Sequence, residues 1–399
     1  MRFWLLLLLI LFCPVLLLAQ GGTITGKVSR MDTKGPIGKA NIFLSNSSFG
    51  TASNDDGTFS LTGVRPGQYQ LVISMIGFES FTQTIMVGPG PIKINAELLP
   101  SVTQLREVVI TSPANWKINY ALFLKRFFGE SDNAKKCKIL NPHTLTFIYH
   151  KTTKTLEAYS DDFIQIENRA LGYKVKFMLK SFKADDINNE IAWQGDALYT
   201  EMAGSASQKK AWQAKRDDIY YGSSRHFFRS LQNATLSQDG FQMMILQRRP
   251  NPERPPASVI QHKLDIFDGV NRDSINYWVT KYNLPKYDQN LIRQPLKETD
   301  VARAFDQPGL FGITFPDCLY VIYTRKREET DFKDIFRPLD MPNYQVSVIS
   351  LNKPYALFDQ NGSVVTQSTL FEGTWSKNKV AELLPIDYVP VGPPPAAAL

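Results

Sequence analysis

One short stretch of the sequence gathers side chains that could hold a ligand. Residues 205–232 read SASQKKAWQAKRDDIYYGSSRHFFRSLQ. We predict a helix that ends at a Tyr-Tyr pair, a break at Gly222, and a second helix capped by Ser223 or Ser224. The candidate ligand-binding residues are Arg216, Tyr220, Tyr221, Ser223, Arg225 and His226. Guanidinium, hydroxyl and imidazole donors beside aromatic rings suit a ligand pocket. The alternative, which the sequence favours, is a helix–turn–helix corner with polar groups satisfied locally.

The familiar catalytic motifs are missing from this sequence. The histidines are His143, His150, His226 and His262. None has Glu at the third position after it, and no HExxH occurs, so a zinc carboxypeptidase site is not predicted. The nearest approach to G-x-S-x-G is YGSSRHF, in which Ser224 is followed by Arg225. We therefore assign no catalytic, cofactor-binding or metal-binding residue and expect no cofactor.

The elements that precede this stretch begin with short strands separated by turns. TITGKVSR starts the series at Thr23, and turn residues follow at NDDG, residues 54–57, and at Pro66-Gly67. The segment 50–61 indicates a hairpin with Phe59 and Leu61 on one face. NDDG lacks the alternating carboxylates and the distal Glu of an EF-hand loop, so a turn is favoured over a calcium site. Regularly spaced short strands predict a small β-sandwich.

The order of these turns and strand faces resembles a known domain. GTITGKV, PIGKANIFL, GTASNDDGTFSL and VRPGQYQLVISMIGFE together look like the carboxypeptidase regulatory-like domain, a transthyretin-like sandwich of Gram-negative envelope proteins. The resemblance runs from about residue 23 to 99. It implies a non-catalytic module for folding or interaction, found beside peptidases or in front of TonB-dependent receptors.

The first residues have the pattern of a secretory signal peptide. Arg2 precedes an apolar run over residues 3–18, and Ala19 is a small residue suited to cleavage. The alternatives are an uncleaved anchor, because the run approaches the length of a membrane span, and lipidation at Cys13. Pro14 and the small residue at the end favour cleavage. We therefore expect an exported protein of the periplasm or the outer membrane.

Charge and cysteine content restrict the class of protein further. The formal net charge is +7, but the basic residues are dispersed, so no nucleic-acid partner is expected. With a cleaved signal, Cys137 and Cys318 remain. They could form one disulfide in an oxidising compartment or stay as two separate buried thiols, and the sequence leaves both open.

The second region mixes one aromatic helix with antiparallel strands. In NWKINYALFLKRFFG, residues 115–129, four aromatic residues share one helical face, which favours core packing over sugar binding. The segments 144–151, 161–168 and 173–182 predict strands. The last places Tyr173 and Val175 on one face and lysines on the other, a sheet with one face in solvent. We also predict a hairpin over 355–373 and a helix from Ser376 to Pro385.

These elements give a domain plan and a fold class. We predict a mainly β, or α+β, protein, with a transthyretin-like β-sandwich over residues 20–100 followed by an antiparallel-sheet α+β region over 114–390. The signal peptide covers 1–19, a linking strand 101–113 and a flexible tail 391–399. The segment 105–113 resembles the one after this domain in TonB-dependent receptors, but the remaining chain is too short for their barrel. The second region resembles an uncharacterised part of related envelope proteins, and this implies no activity.

Three functions remain open at this point. The leading hypothesis is a secreted, non-catalytic binding or scaffolding protein whose partner is an envelope protein or glycan. The second is a hydrolase of unfamiliar type that uses paired carboxylates on glycans or peptides. The third is an accessory to an outer-membrane receptor that binds through its sheet edges.

Overall fold

The computed structural model describes residues 21–88, 90–101, 113–307, 309–329, 334–366 and 368–396. Internal contacts divide the chain into two units, Met1–Arg106 and Glu107–Leu399. The predicted signal peptide and nearly all of the predicted linking strand lie outside the described residues. Among the described residues, none of the helices is long and apolar enough to cross a membrane.

The described residues of the first unit form seven strands in two sheets. They are β1 (Gly22–Arg30), β2 (Asn41–Leu44), β3 (Gly50–Ala52), β4 (Thr58–Val64), β5 (Gly67–Ser74), β6 (Phe81–Val87) and β7 (Ile92–Leu98). One sheet has the order β4-β1-β7, with β1 and β7 parallel, and the other has the order β3-β2-β5-β6. Alternate residues are buried in β7, including Ile94 and Ala96, whereas β5 is buried on both faces around Leu71. The predicted β-sandwich is confirmed.

The hairpin predicted over residues 50–61 is wrong in its pairing. The turn itself forms, because the Gly57 N–H donates to the Asn54 carbonyl at 2.9 Å, and Phe59 and Leu61 are both buried as expected. However, β3 pairs with β2, whereas β4 pairs with β1 in the other sheet. The turn therefore carries the chain from one sheet to the other. Local turn residues reverse the chain direction but do not choose the partner strand.

The second unit begins with a helix on a six-stranded sheet. The elements are α1 (Pro113–Phe128), β8 (Cys137–Ile139), β9 (Leu145–His150), β10 (Thr155–Ser160), β11 (Ile164–Asn168), β12 (Tyr173–Asp185) and β13 (Glu190–Glu201). All pairings in this sheet are antiparallel. Phe123 and Phe127 of α1 are fully buried and stack at 4.7 Å, while Trp116 and Tyr120 pack at the edge of the same core. The aromatic face of α1 is therefore part of the core, as predicted.

Strand β12 has the two faces that its sequence predicts. Tyr173, Val175 and Phe177 are buried, whereas Lys174 and Lys176 between them are exposed. A bulge between Leu179 and Ser181 changes the pairing with β13. At this bulge Lys180 forms an ion pair of 2.7 Å with the buried Asp196.

The rest of the second unit is built on two further sheets. They contain β14 (Phe241–Pro250), β15 (Tyr287–Ile292), β16 (Ala302–Ala304), β17 (Leu310–Ile313), β18 (Cys318–Arg327), β19 (Tyr344–Leu351), β20 (Ala356–Asp359) and β21 (Thr369–Gly373). The five-stranded sheet has the order β15-β14-β18-β19-β21, and the three-stranded sheet has the order β16-β17-β20. The hairpin predicted over 355–373 forms only around its QNG turn, where Phe358 and Val364 make an isolated antiparallel bridge and the Val365 N–H donates to the Leu357 carbonyl at 2.9 Å. Its flanking strands do not pair with each other, because β20 pairs with β17 and β21 with β19.

Seven more α-helices lie among the described residues of this unit. They are α2 (Ala206–Tyr220), α3 (Ser224–Gln232), α4 (Leu236–Asp239), α5 (Ala257–Phe267), α6 (Arg272–Asn283), α7 (Glu298–Val301) and α8 (Thr374–Lys377). The helix predicted from Ser376 to Pro385 is wrong. Ser376 instead lies inside α8, and a separate 3₁₀ turn covers Val380–Glu382. The Ser376 hydroxyl donates to the Gly373 carbonyl at 2.8 Å, so it does not cap a following helix.

The two cysteines of the second unit are both free. Cys318 is buried in the five-stranded sheet, where its Sγ lies 3.3 Å from the Ser350 hydroxyl. Cys137 is partly buried in β8, and burial raises the pKa of its thiol to about 12. The raised pKa disfavours the nucleophilic thiolate at neutral pH.

Candidate functional site

Local signals in the sequence define the corner between α2 and α3. Ser205 caps α2 in a reciprocal capping box with Gln208. Gly222 ends the helix with φ +85°, a conformation that favours glycine. The Ser223 hydroxyl then accepts the His226 N–H at 3.2 Å and caps α3. The predicted helix–turn–helix corner is confirmed.

The corner lies between two hydrophobic cores. Tyr220 at the end of α2 is buried in the core of the six-stranded sheet, whereas Phe227 and Phe228 of α3 are buried in the core of the five-stranded sheet. The Trp375 indole N–H donates to the Gly222 carbonyl at 2.7 Å and holds the turn against the second core. Packing on both sides holds Tyr220, Phe227 and Phe228 in fixed directions.

Arg216 is buried and bound away from the turn. Its Nε donates to the Leu171 carbonyl at 2.8 Å, and its guanidinium lies 3.9 Å from the centre of the Tyr173 ring. It also forms an ion pair with Glu201. These contacts attach α2 to the loop between β11 and β12, so Arg216 has a structural role.

His226 is enclosed by aromatic rings and is neutral. The rings of Tyr220, Tyr221, Phe241 and Tyr323 lie between 5.0 and 5.9 Å from its imidazole. Burial lowers its pKa to about 4, because a charged imidazole would be poorly solvated there. Its Nδ1 accepts the Gly222 N–H at 3.2 Å, so this nitrogen carries no proton. The imidazole therefore acts as a hydrogen-bond acceptor of the turn.

The remaining predicted residues face the end of the chain. We call residues 385–396 the C-terminal strap. The Tyr221 hydroxyl donates to the Gly392 carbonyl, and Arg225 Nη1 donates to the Pro385 carbonyl, each at 2.8 Å. Burial and then the neighbouring charge of Arg229 lower the pKa of Arg225 to about 10. The predicted tail beyond residue 390 thus begins with residues that are hydrogen-bonded to the corner.

The sequence prediction omitted Arg229, which donates two hydrogen bonds to the strap. Its Nη2 donates to the Ile386 carbonyl at 2.8 Å and its Nη1 to the Tyr388 carbonyl at 3.1 Å. Its Nε donates to the Asn361 carbonyl at 2.9 Å. The signal was available, because Arg229 follows Arg225 by four residues and lies on the same face of α3.

Asp217 was also omitted from the prediction, and it receives most of the hydrogen bonds that the strap donates. The N–H groups of Val391 and Gly392 donate to its carboxylate at 3.0 Å each. The Tyr388 hydroxyl donates to the same carboxylate, and this bond raises the pKa of Tyr388 after burial. Asp217 and Tyr221 lie four residues apart, so both face the strap at one end of α2.

The arrangement is suited to holding main-chain atoms. Arginine, tyrosine and aspartate side chains bind carbonyl and N–H groups of the C-terminal strap, and the histidine orders the turn that carries them. Among the described residues, no group of three or more His, Cys, Asp or Glu side chains could hold a metal ion. The buried carboxylates Asp196 and Asp359 each have local partners, a lysine and the N–H groups of a turn.

Comparison with known families identifies the first unit. Residues 24–110 match the model of the CarboxypepD_reg-like domain, so this part of the chain is a carboxypeptidase regulatory-like domain. The match confirms the resemblance read from the sequence for this domain. No curated protein matches the chain significantly.

Solved structures resemble parts of the chain only distantly. The pilus 2b backbone protein of group B streptococcus is 19% identical, covers 20% of this chain and 42% of its own, and has a TM-score of 0.18. The major pilin subunit of Bacillus cereus is 14% identical over 21% and 31%, with a TM-score of 0.18. The Bacillus anthracis TIE protein is 12% identical over 46% and 32%, again at 0.18. The chain spans less than half the length of each. TM-scores this low do not establish a shared fold.

Proposed function

We propose that this protein is an exported, non-catalytic binding or scaffolding protein. The observation that carries the proposal is the use of the polar side chains at the α2–α3 corner. Arg225, Arg229 and Asp217 all hold main-chain atoms, and His226 accepts a main-chain N–H. Hydrogen bonds of this kind recognise main-chain groups. In the folded chain they already occupy these four side chains.

The first unit supports the same proposal. A carboxypeptidase regulatory-like domain covers residues 24–110. Within the described residues, β6 pairs only with β5, and its Thr82, Gln83 and Thr84 are exposed. An exposed edge strand can accept a strand from a partner protein. Together, the domain type and the open edge favour a role in assembly on envelope proteins or glycans.

The proposal is tested by a pull-down from detergent-solubilised envelope with the chain from residue 20 onward. We expect a specific partner that is lost when Thr82→Pro and Thr84→Pro change the edge of β6, because proline cannot donate a ladder hydrogen bond. Lys174→Ala on the exposed face of β12 serves as the control. Saturable turnover of a peptide or glycan that one substitution abolishes would contradict the proposal and favour the hydrolase hypothesis.

A further inference from the structure

The C-terminal strap contains a backbone pattern that the corner matches. Residues 390–395 read PVGPPP, and because proline has no N–H, Val391 and Gly392 carry the two N–H groups of this segment. Both donate to Asp217, at 3.0 Å each. One carboxylate therefore satisfies every main-chain donor in the segment. Such charge-assisted bonds are stronger than neutral ones.

The carbonyl groups of the strap are bound in the same way. The acceptors are Pro385, Ile386, Tyr388, Gly392 and Pro395, and the donors are Arg225, Arg229, Tyr221 and Arg325. All of these bonds join a side chain of the corner or of β18 to a main-chain oxygen. The contacts thus bind main-chain oxygens both within the turn that the Tyr388 N–H closes on the Pro385 carbonyl at 2.9 Å and in the residues that follow it.

The inner and outer parts of the strap are held differently. Ile386 and Tyr388 are both 7% exposed, so the inner part is packed into the protein. Val389 and Val391 are 51% and 79% exposed, so the outer part adds little apolar burial. Polar contacts to Asp217, Tyr221 and Arg325 hold the outer part. It can therefore be replaced without opening the core.

One position of the strap also selects a residue type. A Cβ added to Gly392 would lie 3.1 Å from Asp217 Oδ2, closer than most Cβ contacts. A side chain at this position would require the carboxylate, which accepts the two N–H groups, to shift by a few tenths of an ångström. The corner thus favours glycine at this position.

We propose that Asp217, Tyr221 and Arg325 form a peptide-binding site for Gly-Pro-rich segments, and that residues 389–396 of the chain itself occupy it in cis. This inference rests on the proposed binding function and names the ligand class of one site. Since the cis segment is tethered, its effective concentration is in the millimolar range, and a free peptide competes poorly. A partner segment with the same backbone pattern binds when the cis segment is displaced or weakened.

The test uses full-length protein and a fluorescein-labelled peptide with the sequence of residues 389–399. The double variant Val391→Pro, Gly392→Val weakens the cis segment and leaves the site intact. We expect it to bind the peptide in an anisotropy titration at least about 10-fold more tightly than the parent chain, in which the site is occupied. A peptide that carries Gly392→Val is expected to bind more weakly than the parent peptide.

Two further substitutions in this double variant locate the site. Asp217→Asn is expected to lower the affinity for the peptide about 10-fold or more, because the charged acceptor is lost. Asp218→Asn is the matched control, since Asp218 pairs with Lys326 and makes no bond to the strap. Circular dichroism and thermal melting confirm that each variant is folded. No binding by the folded double variant, or equal binding after Asp217→Asn, would overturn the proposal.

Hydrogen exchange gives a second measurement on the unaltered strap. The amides of Val391 and Gly392 are expected to exchange slowly in the parent chain and quickly in Asp217→Asn, with no change in Asp218→Asn. Fast exchange in the parent would also overturn the proposal. These outcomes are separate from the envelope pull-down, because neither measurement needs a natural partner. A failed pull-down with positive peptide binding would reject the proposed partner and keep the site.

Discussion

Two helix pairs in the second unit have similar local designs and different surroundings. The α2–α3 corner and the α5–α6 pair each turn at a glycine with positive φ, Gly222 at +85° and Gly269 at +69°. Both second helices begin at a side-chain cap, from Ser223 and Asn271. However, α3 buries five residues, whereas α6 buries none of its own and packs mainly against α5.

The difference shows that capping and turn residues determine where the helices begin and end, but not whether the helix pair is buried. Tyr220 at the end of α2 is buried, while Tyr277 and Tyr282 of α6 are 55% and 53% exposed. The same residue type therefore joins a core in one pair and faces solvent in the other. Hydrogen bonds with the strap distinguish the first pair further, since they connect it to a distant part of the sequence.

The largest expected effect comes from the two glycines. A Cβ at Gly222 would lie 2.6 Å from the Tyr323 ring, whereas a Cβ at Gly269 would have nothing within 4 Å. We expect Gly222→Ala to lower the free energy of unfolding by about 3 kcal/mol, from backbone strain and overpacking. Gly269→Ala should cost about 1 kcal/mol, from strain alone. Urea unfolding of both variants measures the difference, and equal losses would contradict the packed corner.

The second prediction concerns acid stability through His226. Its folded pKa of about 4 lies below the unfolded value of about 6.5. The unfolded chain therefore binds more protons between these values, so stability falls as the pH decreases from 6.5 to 4. The loss from this group is at most about 3 kcal/mol. It is opposed by the nearby Asp239 and reinforced by Arg229, Arg325 and Lys326.

Urea unfolding at several pH values tests this dependence. We expect His226→Gln, which keeps an acceptor but does not titrate, to have a flatter stability profile between pH 6.5 and 4 than the parent chain. Identical slopes for the parent and the variant would show that His226 is not buried as a neutral side chain.

The third prediction compares one arginine from each helix pair. Arg229→Lys should cost about 2 to 3 kcal/mol, because an ammonium cannot reach the carbonyls that the guanidinium joins. Arg272→Lys at the start of the exposed α6 should change stability by less than about 0.5 kcal/mol. Thermal melting of the two variants checks this, and similar melting temperatures would mean that the strap contributes little to stability.

The fourth prediction removes single hydroxyl groups. Tyr221→Phe loses the bond to the Gly392 carbonyl and should cost about 1 kcal/mol. Tyr277→Phe on α6 should stay within about 0.5 kcal/mol of the parent. If both changes are neutral in urea unfolding, solvent replaces the Tyr221 bond without loss.

The smallest effect is expected at the tip of the α5–α6 pair. Val270 is 78% exposed, so Val270→Ser should change the free energy of unfolding by less than about 0.5 kcal/mol. A loss above 1 kcal/mol in urea unfolding would show that this tip packs against another surface in solution. The α5–α6 pair would then be packed, as the α2–α3 corner is, and the two helix pairs would not differ in burial.

Several features of this protein follow from the sequence alone. Period-two burial in β12, the aromatic face of α1 and the capped corner at Gly222 were all predictable, because each depends on residues within one or two turns of chain. The carboxypeptidase regulatory-like sandwich was recognisable from its ordered turns. The predicted site residues were placed at one corner, but the sequence did not indicate what they face.

Only the tertiary structure decided the partners of these elements. Both predicted hairpins, over 50–61 and 355–373, form local turns whose strands then enter different sheets, since pairing depends on residues far away in sequence. The segment beyond residue 390 forms hydrogen bonds with Asp217, which lies more than 170 residues earlier in the sequence. Such long-range contacts reflect the burial and hydrogen bonding of the whole fold, and no local pattern encodes them.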